Sequence, residues 1–194
     1  MSRLAEMNKR LIWSALVHYP VLDKEGNIVT TSVTNMDVHD ISRTARTFGL
    51  SGVYIITPIE IHRIMVSKVV SLWQNPEFYR RTPSRQEALS LVEVAGEIAE
   101  VKDIIHKETG KTPFVIGTTR KHLPSAVSYE EMRNKIFCNP QNPILILFGT
   151  GWGLAPPALD SCDCILTPIE GFDGYAHLSV RSAAAIILDR LLGR

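Results

Sequence analysis

Three glycines within five residues mark the stretch of this sequence best suited to contact a ligand through its backbone. The stretch FGTGWGLAPP, residues 148–157, directly follows the apolar run PILILF. Loops of this kind approach nucleotides closely because glycine carries no side chain that would keep the ligand away. Gly149, Gly151 and Gly153 are spaced GxGxG, whereas the dinucleotide-binding fingerprint is GxGxxG. Three interpretations are therefore open: an NAD site, a purely structural turn, and a site for another nucleoside cofactor.

Two further loops carry residues that could contribute to the same site. TPIEGFDGYAHLS, residues 167–179, contains two more glycines, and GTTRKH, residues 117–122, follows another apolar run. If these runs are parallel strands, all three loops lie at one edge of the sheet, where such sheets bind ligands. Loops with little side-chain bulk can hold an adenosine through backbone N–H and C=O groups. The combination favours a nucleoside cofactor that needs no phosphate site.

The elements that must position these loops alternate between short apolar runs and stretches with helical periodicity. Apolar runs rich in β-branched residues predict five strands, at 12–18, 52–58, 113–119, 143–149 and 164–169. Periodic apolar positions predict helices at 37–49, 59–74, 84–110, 129–137 and 178–193. Short apolar strands that alternate with helices indicate an α/β fold, in which a mainly parallel sheet has helices on both faces.

Capping residues predict where two of these helices begin. Asp37 is the expected N-cap of the first helix, and Gly49 is its expected C-terminal stop. Ser84 and Glu87 form a capping pattern at the start of the stretch 84–110. Because that stretch holds its periodicity up to a closing glycine, the sequence predicts one long helix there.

Composition limits the class of protein. The chain has 194 residues, 45% of them hydrophobic, which suits a single domain over residues 1–194. Its 21 Lys and Arg residues against 20 Asp and Glu residues give a net charge of +1. Any nucleic-acid surface must therefore come from local clustering of cations. No apolar stretch has the length of a membrane span, so we expect no membrane association.

The three cysteines indicate a compartment rather than a binding site. Cys138, Cys162 and Cys164 form neither a disulfide framework nor a CxxC pair. Unpaired cysteines suit a reducing environment, and we expect a cytoplasmic protein. We expect no metal, because the CDC sequence has no second pair of ligands at a suitable spacing.

Motifs in both halves of the chain resemble those of a known superfamily. FGTGWGL, ILTPIEG and YAHLSVRSAAAIIL, in this order, resemble the C-terminal signature of the SPOUT, or α/β-knot, RNA methyltransferases. DVHDISRTARTFGLSGVYIITP resembles the first motif of the same superfamily. Over nearly its whole length, the chain is similar to a bacterial group of SPOUT proteins, the predicted S-adenosylmethionine-dependent RNA methyltransferases.

The resemblance implies a fold, a cofactor and partners. It implies a C-terminal trefoil knot, a homodimer formed partly by the last helix, and S-adenosylmethionine as the cofactor. The substrate would be tRNA or rRNA, methylated on a ribose 2′-hydroxyl or on a base. The residues that it implies for the cofactor site are Gly117, Thr118, Thr119, Phe148, Gly149, Thr150, Gly151, Gly153, Leu154, Leu166, Pro168, Ile169, Gly171, Tyr175, Ala176, His177 and Leu178.

Arg43 and His177 are the candidate catalytic residues. The resemblance places Arg43 at the first-motif arginine, which points at the methyl acceptor and would orient a phosphate or stabilise a developing oxyanion. His177 lies next to the expected pocket, and an imidazole can transfer a proton near neutral pH. Two simpler interpretations stay open. Arg43 could pair with Asp37 or Asp40, and His177 could merely cap or orient the last helix.

The sequence departs from the 2′-O-methylating branch of the superfamily in two places. Asp37 replaces the first-motif asparagine, and YAHLS replaces SLNVS before the last helix. Both ribose and base methylation are therefore open. Glu170 and Asp173, in the same loop, could carry a proton or hold the amino group of the methionine moiety, or they could simply be solvated acids.

A local cluster of cations and aromatic residues is the candidate RNA surface. Cations bind phosphates and aromatic rings stack on bases, so the presence of Trp73, Phe78 and Tyr79 among basic residues suits RNA. A solvated basic helix face would give the same pattern. The candidate RNA-binding residues are Arg46, Arg63, Lys68, Arg80, Arg81, Arg120 and Lys121.

Two other functions fit parts of the pattern. A nucleotide-binding α/β protein without methyl transfer would keep the glycine loops, and it would prefer NAD to S-adenosylmethionine. A non-catalytic RNA-binding module would keep the basic and aromatic surface and would bind no cofactor. Cofactor binding therefore separates the three hypotheses.

Overall fold

Six parallel strands build the sheet that carries the candidate site in the computed structural model, which describes residues 10–76 and 82–193. Two more strands form a separate antiparallel hairpin. The strands of the sheet are β1 Ile12–Val17, β4 Gly52–Ile56, β5 Val92–Ala95, β6 Phe114–Gly117, β7 Ile144–Gly149 and β8 Cys164–Ile165, and those of the hairpin are β2 Val21–Leu22 and β3 Ile28–Val29.

The strand order β5-β4-β1-β7-β6-β8 creates a switch point between β1 and β7. From β1 the chain builds outward through β4 and β5 on one side, and the later strands lie on the other side. At the carboxyl ends of the two central strands, Val17 pairs with Gly149. Open parallel sheets bind ligands in the crevice outside such a switch point. The loops that follow β1 and β7 therefore meet where a ligand site is expected.

Seven α-helices are described, with one short 3-10 helix at Phe172–Gly174, and the α-helices cover both faces of the sheet. Within β1, Ile12 and Leu16 belong to one core, whereas Trp13, Ala15 and Val17 belong to the other. The first core includes residues of α1, α2, α3, α5 and α7, and the second includes residues of α4 and α6, so the predicted α/β fold is confirmed. The helices are α1 Asn35–Phe48, α2 Glu60–Trp73, α3 Pro83–Leu89, α4 Ile98–Thr109, α5 Tyr129–Cys138, α6 Pro156–Asp160 and α7 Val180–Leu192.

The single helix predicted at 84–110 is wrong, because a strand interrupts it. α3 ends at Leu89, β5 follows, and α4 begins at Ile98. β5 pairs in parallel with β4 and buries Val92 and Ala95. The many Glu and Ala residues of this stretch favour a helix locally, but pairing with the sheet edge and burial of β-branched side chains outweigh that preference.

The predicted helix starts also require correction. Thr34, not Asp37, is the N-cap of α1, and Asp37 completes the capping box three residues later. The N–H of Asp37 donates to the Thr34 hydroxyl at 3.2 Å, and the N–H of Thr34 donates to the Asp37 carboxylate at 3.2 Å. Thr82, not Ser84, is the N-cap of α3. The predicted stop at Gly49 is confirmed, since that residue is left-handed with a φ of 70°.

Three sequence-based expectations concern candidate RNA-binding residues, membrane-spanning helices and metal sites. Arg80 and Arg81, with Phe78 and Tyr79, lie outside the described residues. Within the described ranges, no helix is long and apolar enough to cross a membrane. The same part of the chain contains no group of three or more His, Cys, Asp or Glu side chains arranged to hold a metal ion.

Candidate functional site

A cavity of about 500 Å³ lies at the carboxyl edge of β6 and β7. The three loops that follow β6, β7 and β8 meet there, as the sequence predicts, and the first turns of α7 close one side. Its volume lies in the range of small-molecule sites in proteins. The lining residues are Thr118, Thr119, Arg120, Phe148, Gly149, Gly151, Trp152, Gly153, Ile169, Ala176, His177, Leu178, Ser179, Val180, Ala183 and Ile187.

At two positions of the glycine loop after β7, the backbone has a conformation that only glycine adopts without strain. Gly151 has a φ of 59° and Gly153 a φ of 103°, both in the region that side chains disfavour. A Cβ atom on Gly151 would lie 2.8 Å from the carbonyl oxygen of Leu22, and one on Gly149 would collide with the backbone N of Leu154. The glycines are therefore required by the turn as well as by access to the cavity.

The hairpin of β2 and β3 holds this loop from the outer side. The N–H of Trp152 donates to the Leu22 carbonyl at 2.9 Å, and the N–H of Leu22 donates to the Gly153 carbonyl at 2.9 Å. The N–H of Ala155 donates to the Pro20 carbonyl at 3.1 Å. The sequence analysis predicted no hairpin in this segment, whose two strands have only two residues each.

A buried chain of hydrogen bonds supports the loop from below. Thr150 donates to the Val17 carbonyl at 3.0 Å, which uses its only hydroxyl proton. The hydroxyl of Thr31 must then donate to Thr150 at 2.5 Å, and the ring N–H at Nδ1 of His18 must donate to Thr31 at 3.0 Å. Neutral His18 therefore carries its proton on Nδ1, and its buried Nε2 has no hydrogen-bond partner among the described residues.

Burial fixes the charge state of this histidine. His18 has no exposed surface, and the loss of hydration lowers its pKa from 6.5 to about 4. The nearby Asp37 carboxylate opposes this shift without cancelling it. At neutral pH the chain of hydrogen bonds under the glycine loop is therefore uncharged.

A cluster of rings and one guanidinium group forms the rim of the cavity. Arg120 stacks over Trp152 at 4.5 Å from the ring centroid, and its Nη1 lies 3.4 Å from Nδ1 of His177. The His177 ring also makes edge contacts with Trp152 at 6.0 Å and with Tyr175 at 5.6 Å. Arginine can only donate, so Nδ1 of His177 is the acceptor in this contact. His177 is thus held at the rim rather than at the cap of α7, where Ser179 stands.

Ten of the residues expected at a cofactor site line the cavity, and seven lie behind or beside it. Of the seven, Thr150 supports the loop from below, and a Cβ atom on Gly117 would lie 2.9 Å from Cys162 Sγ. Tyr175 contacts the ring of His177 from outside. The others of the seven are Leu154, Leu166, Pro168 and Gly171.

The sequence analysis did not single out Trp152 or the residues of α7 that line the cavity. Val180, Ala183 and Ile187 follow a helical spacing of three and four residues, and Ser179 precedes them. That spacing alone identifies one face of the helix. It does not distinguish a face that lines a cavity from one that fills the core.

Arg43 lies outside the cavity, in a neighbouring groove between α1 and α7 of about 650 Å³. Ser179 lines both the groove and the cavity, so the two adjoin. Asp37 and Asp40 pair with Arg181, at 2.7 and 3.3 Å, and neither pairs with Arg43. The simpler interpretation of Arg43 as a partner of these acids is therefore wrong.

The other candidate RNA-binding residues are dispersed around the site. Arg46 pairs with Glu87 at 2.9 Å, and Arg63 donates to the Thr57 carbonyl at 2.7 Å. Lys68 lies on the exposed side of α2, and Lys121 is exposed next to Arg120. These cations lie on α1, on α2 and in the loop after β6.

The lining of the cavity suits a nucleoside cofactor better than a dinucleotide. Ile169, Leu178 and Ile187 offer apolar surface for a base, and the glycine loop offers backbone groups. Arg120 is the one formally charged side chain in that lining, so two phosphates would find little compensation. S-adenosylmethionine, which has no phosphate, fits this set of residues.

Comparisons with known proteins assign the family. A family model described as SAM-dependent RNA methyltransferase matches residues 11–193. The chain belongs to this family. Members of the SAM-dependent RNA methyltransferase family use S-adenosylmethionine, so the cofactor expected from the sequence is confirmed at the level of the family.

Two relatives show how the family occurs in longer and shorter proteins. A tRNA (guanine-N(1)-)-methyltransferase of Nitratidesulfovibrio vulgaris is 44% identical over 184 residues, covering 95% of this chain and 42% of the relative. An uncharacterized protein of Aquifex aeolicus is 42% identical over 183 residues, covering 94% of this chain and 89% of the relative. The chain therefore spans less than half of the named relative.

Solved structures share the fold at low sequence identity. A probable methylase family protein of Haemophilus influenzae gives a TM-score of 0.63 at 17% identity, covering 94% of this chain and 65% of that one. The TrmH/SpoU tRNA modifying enzyme of Aquifex aeolicus gives 0.55 at 17% identity, covering 98% and 79%. These neighbours confirm the SPOUT-like fold expected from the motifs.

The role of the glycine loop in cofactor binding can be tested with two variants that have the same cost in backbone conformation. Gly151→Ala and Gly49→Ala both place a side chain at a φ near 60–70°, which costs about 1 kcal/mol. Only the Cβ atom at position 151 meets another group, since nothing lies within 4 Å at position 49. We expect Gly151→Ala to weaken S-adenosylhomocysteine binding about tenfold or more in calorimetric titration. Equal affinities of the two variants would contradict the role of the loop.

The buried histidine predicts a pH dependence of stability. Because the pKa of His18 falls from 6.5 to about 4 on folding, the unfolded chain binds an extra proton between these values. Stability should therefore fall as the pH falls through this window, by at most about 3 kcal/mol. Urea unfolding at pH 7 and pH 4.5 should show a smaller loss for His18→Gln than for the wild type. His177→Gln, at an exposed position, should behave as the wild type does.

Proposed function

We propose that this protein transfers a methyl group from S-adenosylmethionine to an RNA nucleotide. The observation that carries the proposal is a glycine-built cavity, poor in charge, within a chain that matches the family model over residues 11–193. Two relatives named tRNA (guanine-N(1)-)-methyltransferase make tRNA the first substrate class to test. Both names describe proteins of which this chain covers 42%, so we leave the methylated atom, on a ribose or a base, to product analysis.

The residues of the cavity have complementary roles in holding the cofactor. When bound, S-adenosylmethionine supplies an electrophilic methyl group on a sulfonium centre. The backbone of Gly149, Gly151 and Gly153 offers hydrogen-bonding groups, and Ile169 and Leu178 offer apolar surface. The closing α7 limits access of water from one side. Alignment of the acceptor in such a site can supply a large part of the rate.

His177 and Arg43 are the proposed catalytic residues. His177 lies at the rim with Nδ1 accepting from Arg120, so the neutral ring carries its proton on Nε2. As a base it would take the acceptor proton on Nδ1, in place of the contact with Arg120. Arg43 lies in the adjoining groove with no ion pair or hydrogen bond from its guanidinium within the described residues. It would bind a phosphate of the RNA, because a guanidinium group remains charged and forms paired hydrogen bonds with phosphate oxygens.

The loop before α7 and the glycine loop supply exposed aromatic side chains near the cavity. Phe172 is 95% exposed, Tyr175 68% and Trp152 42%. Exposed aromatic side chains beside Arg120 and Lys121 match the pattern in which proteins stack unpaired bases and hold the adjacent phosphates. We propose that this rim contacts the nucleotides around the methylated position.

The remaining features implied by the resemblance belong to the same proposal. α7 packs on α1, α5 and β7, and its Ile186 stays half-exposed, which leaves apolar surface for a homodimer formed partly by this helix. A dimer would double the basic surface. The trefoil knot at the C-terminus is likewise proposed. Three free cysteines support a cytoplasmic location.

Methyl transfer from labelled S-adenosylmethionine to unmodified tRNA tests the proposal, with rRNA fragments as the second substrate. We expect label in RNA from the wild type, and a loss of about 10²–10⁴ in rate for His177→Ala. Arg43→Met should raise the RNA concentration needed for half-maximal rate. Arg46→Met is the matched control, because Arg46 is one helical turn away and already paired with Glu87. Mass analysis of the product nucleoside identifies the methylated atom.

Binding of NAD distinguishes the proposed function from the main alternative. A nucleotide-binding protein without methyl transfer would bind NAD in preference to S-adenosylhomocysteine and would label no RNA. Saturable binding of S-adenosylhomocysteine and none of NAD excludes that alternative. A folded protein that binds neither ligand, with and without tRNA, contradicts the proposed function.

A further inference from the structure

Arg181 binds two carboxylates of the neighbouring helix at once. Its Nη1 lies 2.7 Å from Asp37, and its Nε lies 3.3 Å from Asp40. The side chain of Asp37 is only 8% exposed, and its second oxygen accepts the hydroxyl of Thr34 at 2.6 Å. Arg181 therefore pairs with one buried and one exposed acid near the start of α1 and offsets one of their two negative charges. It also joins this helix to the first turn of α7.

Within the described residues, Arg43 does not form the ion pair that its position in the sequence favours. Asp40 and Arg43 are three residues apart on α1, where opposite charges normally attract each other. Both side chains line the groove between α1 and α7. In the structure Asp40 contacts Arg181 instead, and the Arg43 guanidinium has no carboxylate partner among the described residues. Arg46, one turn later, shows the alternative, since Glu87 binds it at 2.9 Å.

The unpaired Arg43 guanidinium lies in a groove that adjoins the cavity. The groove that contains Arg43 adjoins the cavity at Ser179, so an acceptor nucleotide at the cavity has neighbouring nucleotides near this groove. The groove also contains the hydroxyls of Thr44, Thr47, Ser179 and Ser182. Those of Thr44 and Thr47 donate to helix carbonyls at 2.9 Å, whereas the two serines share one hydrogen bond and keep one hydroxyl proton to donate. A guanidinium without an internal partner, flanked by hydroxyl groups, suits one backbone phosphate.

We propose that Arg181 is a positioning residue that keeps Arg43 available for a phosphate of the RNA substrate. It does so by forming ion pairs with the carboxylates of Asp40 and Asp37. The inference rests on the proposed function, because the phosphate belongs to the RNA that the cavity would methylate. Without Arg181, Asp40 captures Arg43, and the protein loses one phosphate contact although Arg43 is still present.

The salt dependence of RNA binding tests this inference, because each phosphate contact contributes about 0.7–0.9 to the slope of log affinity against log salt. Binding of an unmodified tRNA transcript is measured at several salt concentrations. We expect Arg43→Met and Arg181→Met to lower the slope equally, by about one contact. Asp40→Asn alone should leave the slope unchanged. The double variant Arg181→Met with Asp40→Asn should recover the wild-type slope.

Recovery in the double variant separates positioning from a merely structural role. If Arg181 only ties α1 to α7, removal of a second charge from that contact cannot restore RNA binding. Arg181→Lys should give an intermediate slope, because an ammonium group lacks the fork that spans both acids. If Arg181→Met unfolds, the same comparison is made in Asp37→Asn with Arg181→Met, which removes the buried charge left behind.

A crystal structure of the Arg181→Met variant gives a readout that does not depend on RNA. We expect a contact within 4 Å, the usual limit for an ion pair, between Arg43 and Asp40. An unpaired Arg43 in that structure, or a wild-type slope for Arg181→Met, overturns this inference and leaves the proposed function intact. If the wild-type protein binds neither tRNA nor rRNA fragments, the proposed function fails, and the phosphate role of Arg43 fails with it.

Discussion

The clamp between the β2–β3 hairpin and the glycine loop is the interaction on which the cavity depends. Backbone hydrogen bonds between Leu22 and the residues Trp152 and Gly153 fix the loop from outside. The uncharged chain from His18 to Thr150 fixes it from below. Because both supports use backbone and buried polar groups, the surface toward the cavity is left to glycines and apolar side chains. A nucleoside can then approach the main chain directly.

Charge is distributed unequally around this site. The cavity itself holds Arg120 as its one formally charged lining residue, and that group stacks on Trp152. The acids nearby, Asp37 and Asp40, both pair with Arg181, which offsets one of their two charges. Cations that remain exposed at the rim and in the groove can therefore attract a polyanion without a strongly basic chain. The net charge of +1 is compatible with RNA as a partner for this reason.

Local sequence was a good guide wherever one face or one turn decided the structure. The apolar runs of β1, β4, β6 and β7 identified the four inner strands, because strands buried on both faces are apolar throughout. Local sequence was misleading for β5, where Glu and Ala favour a helix but pairing with β4 makes the segment a strand. The β2–β3 hairpin escaped prediction because its strands have two residues each and depend on the glycine loop for partners.

The sequence by itself determined the α/β class and the three loops at the carboxyl edge, since glycine spacing and apolar runs act locally. The resemblance of its motifs to a known superfamily supplied ten of the residues that line the cavity. Only the tertiary structure decided which acid pairs with which arginine. Arg181 lies 144 residues from Asp37 along the chain and reaches it because α7 packs on α1. Pairing of charges depends on distance in space, so the spacing of residues along the sequence does not predict that Arg43 has no ion pair within the described residues.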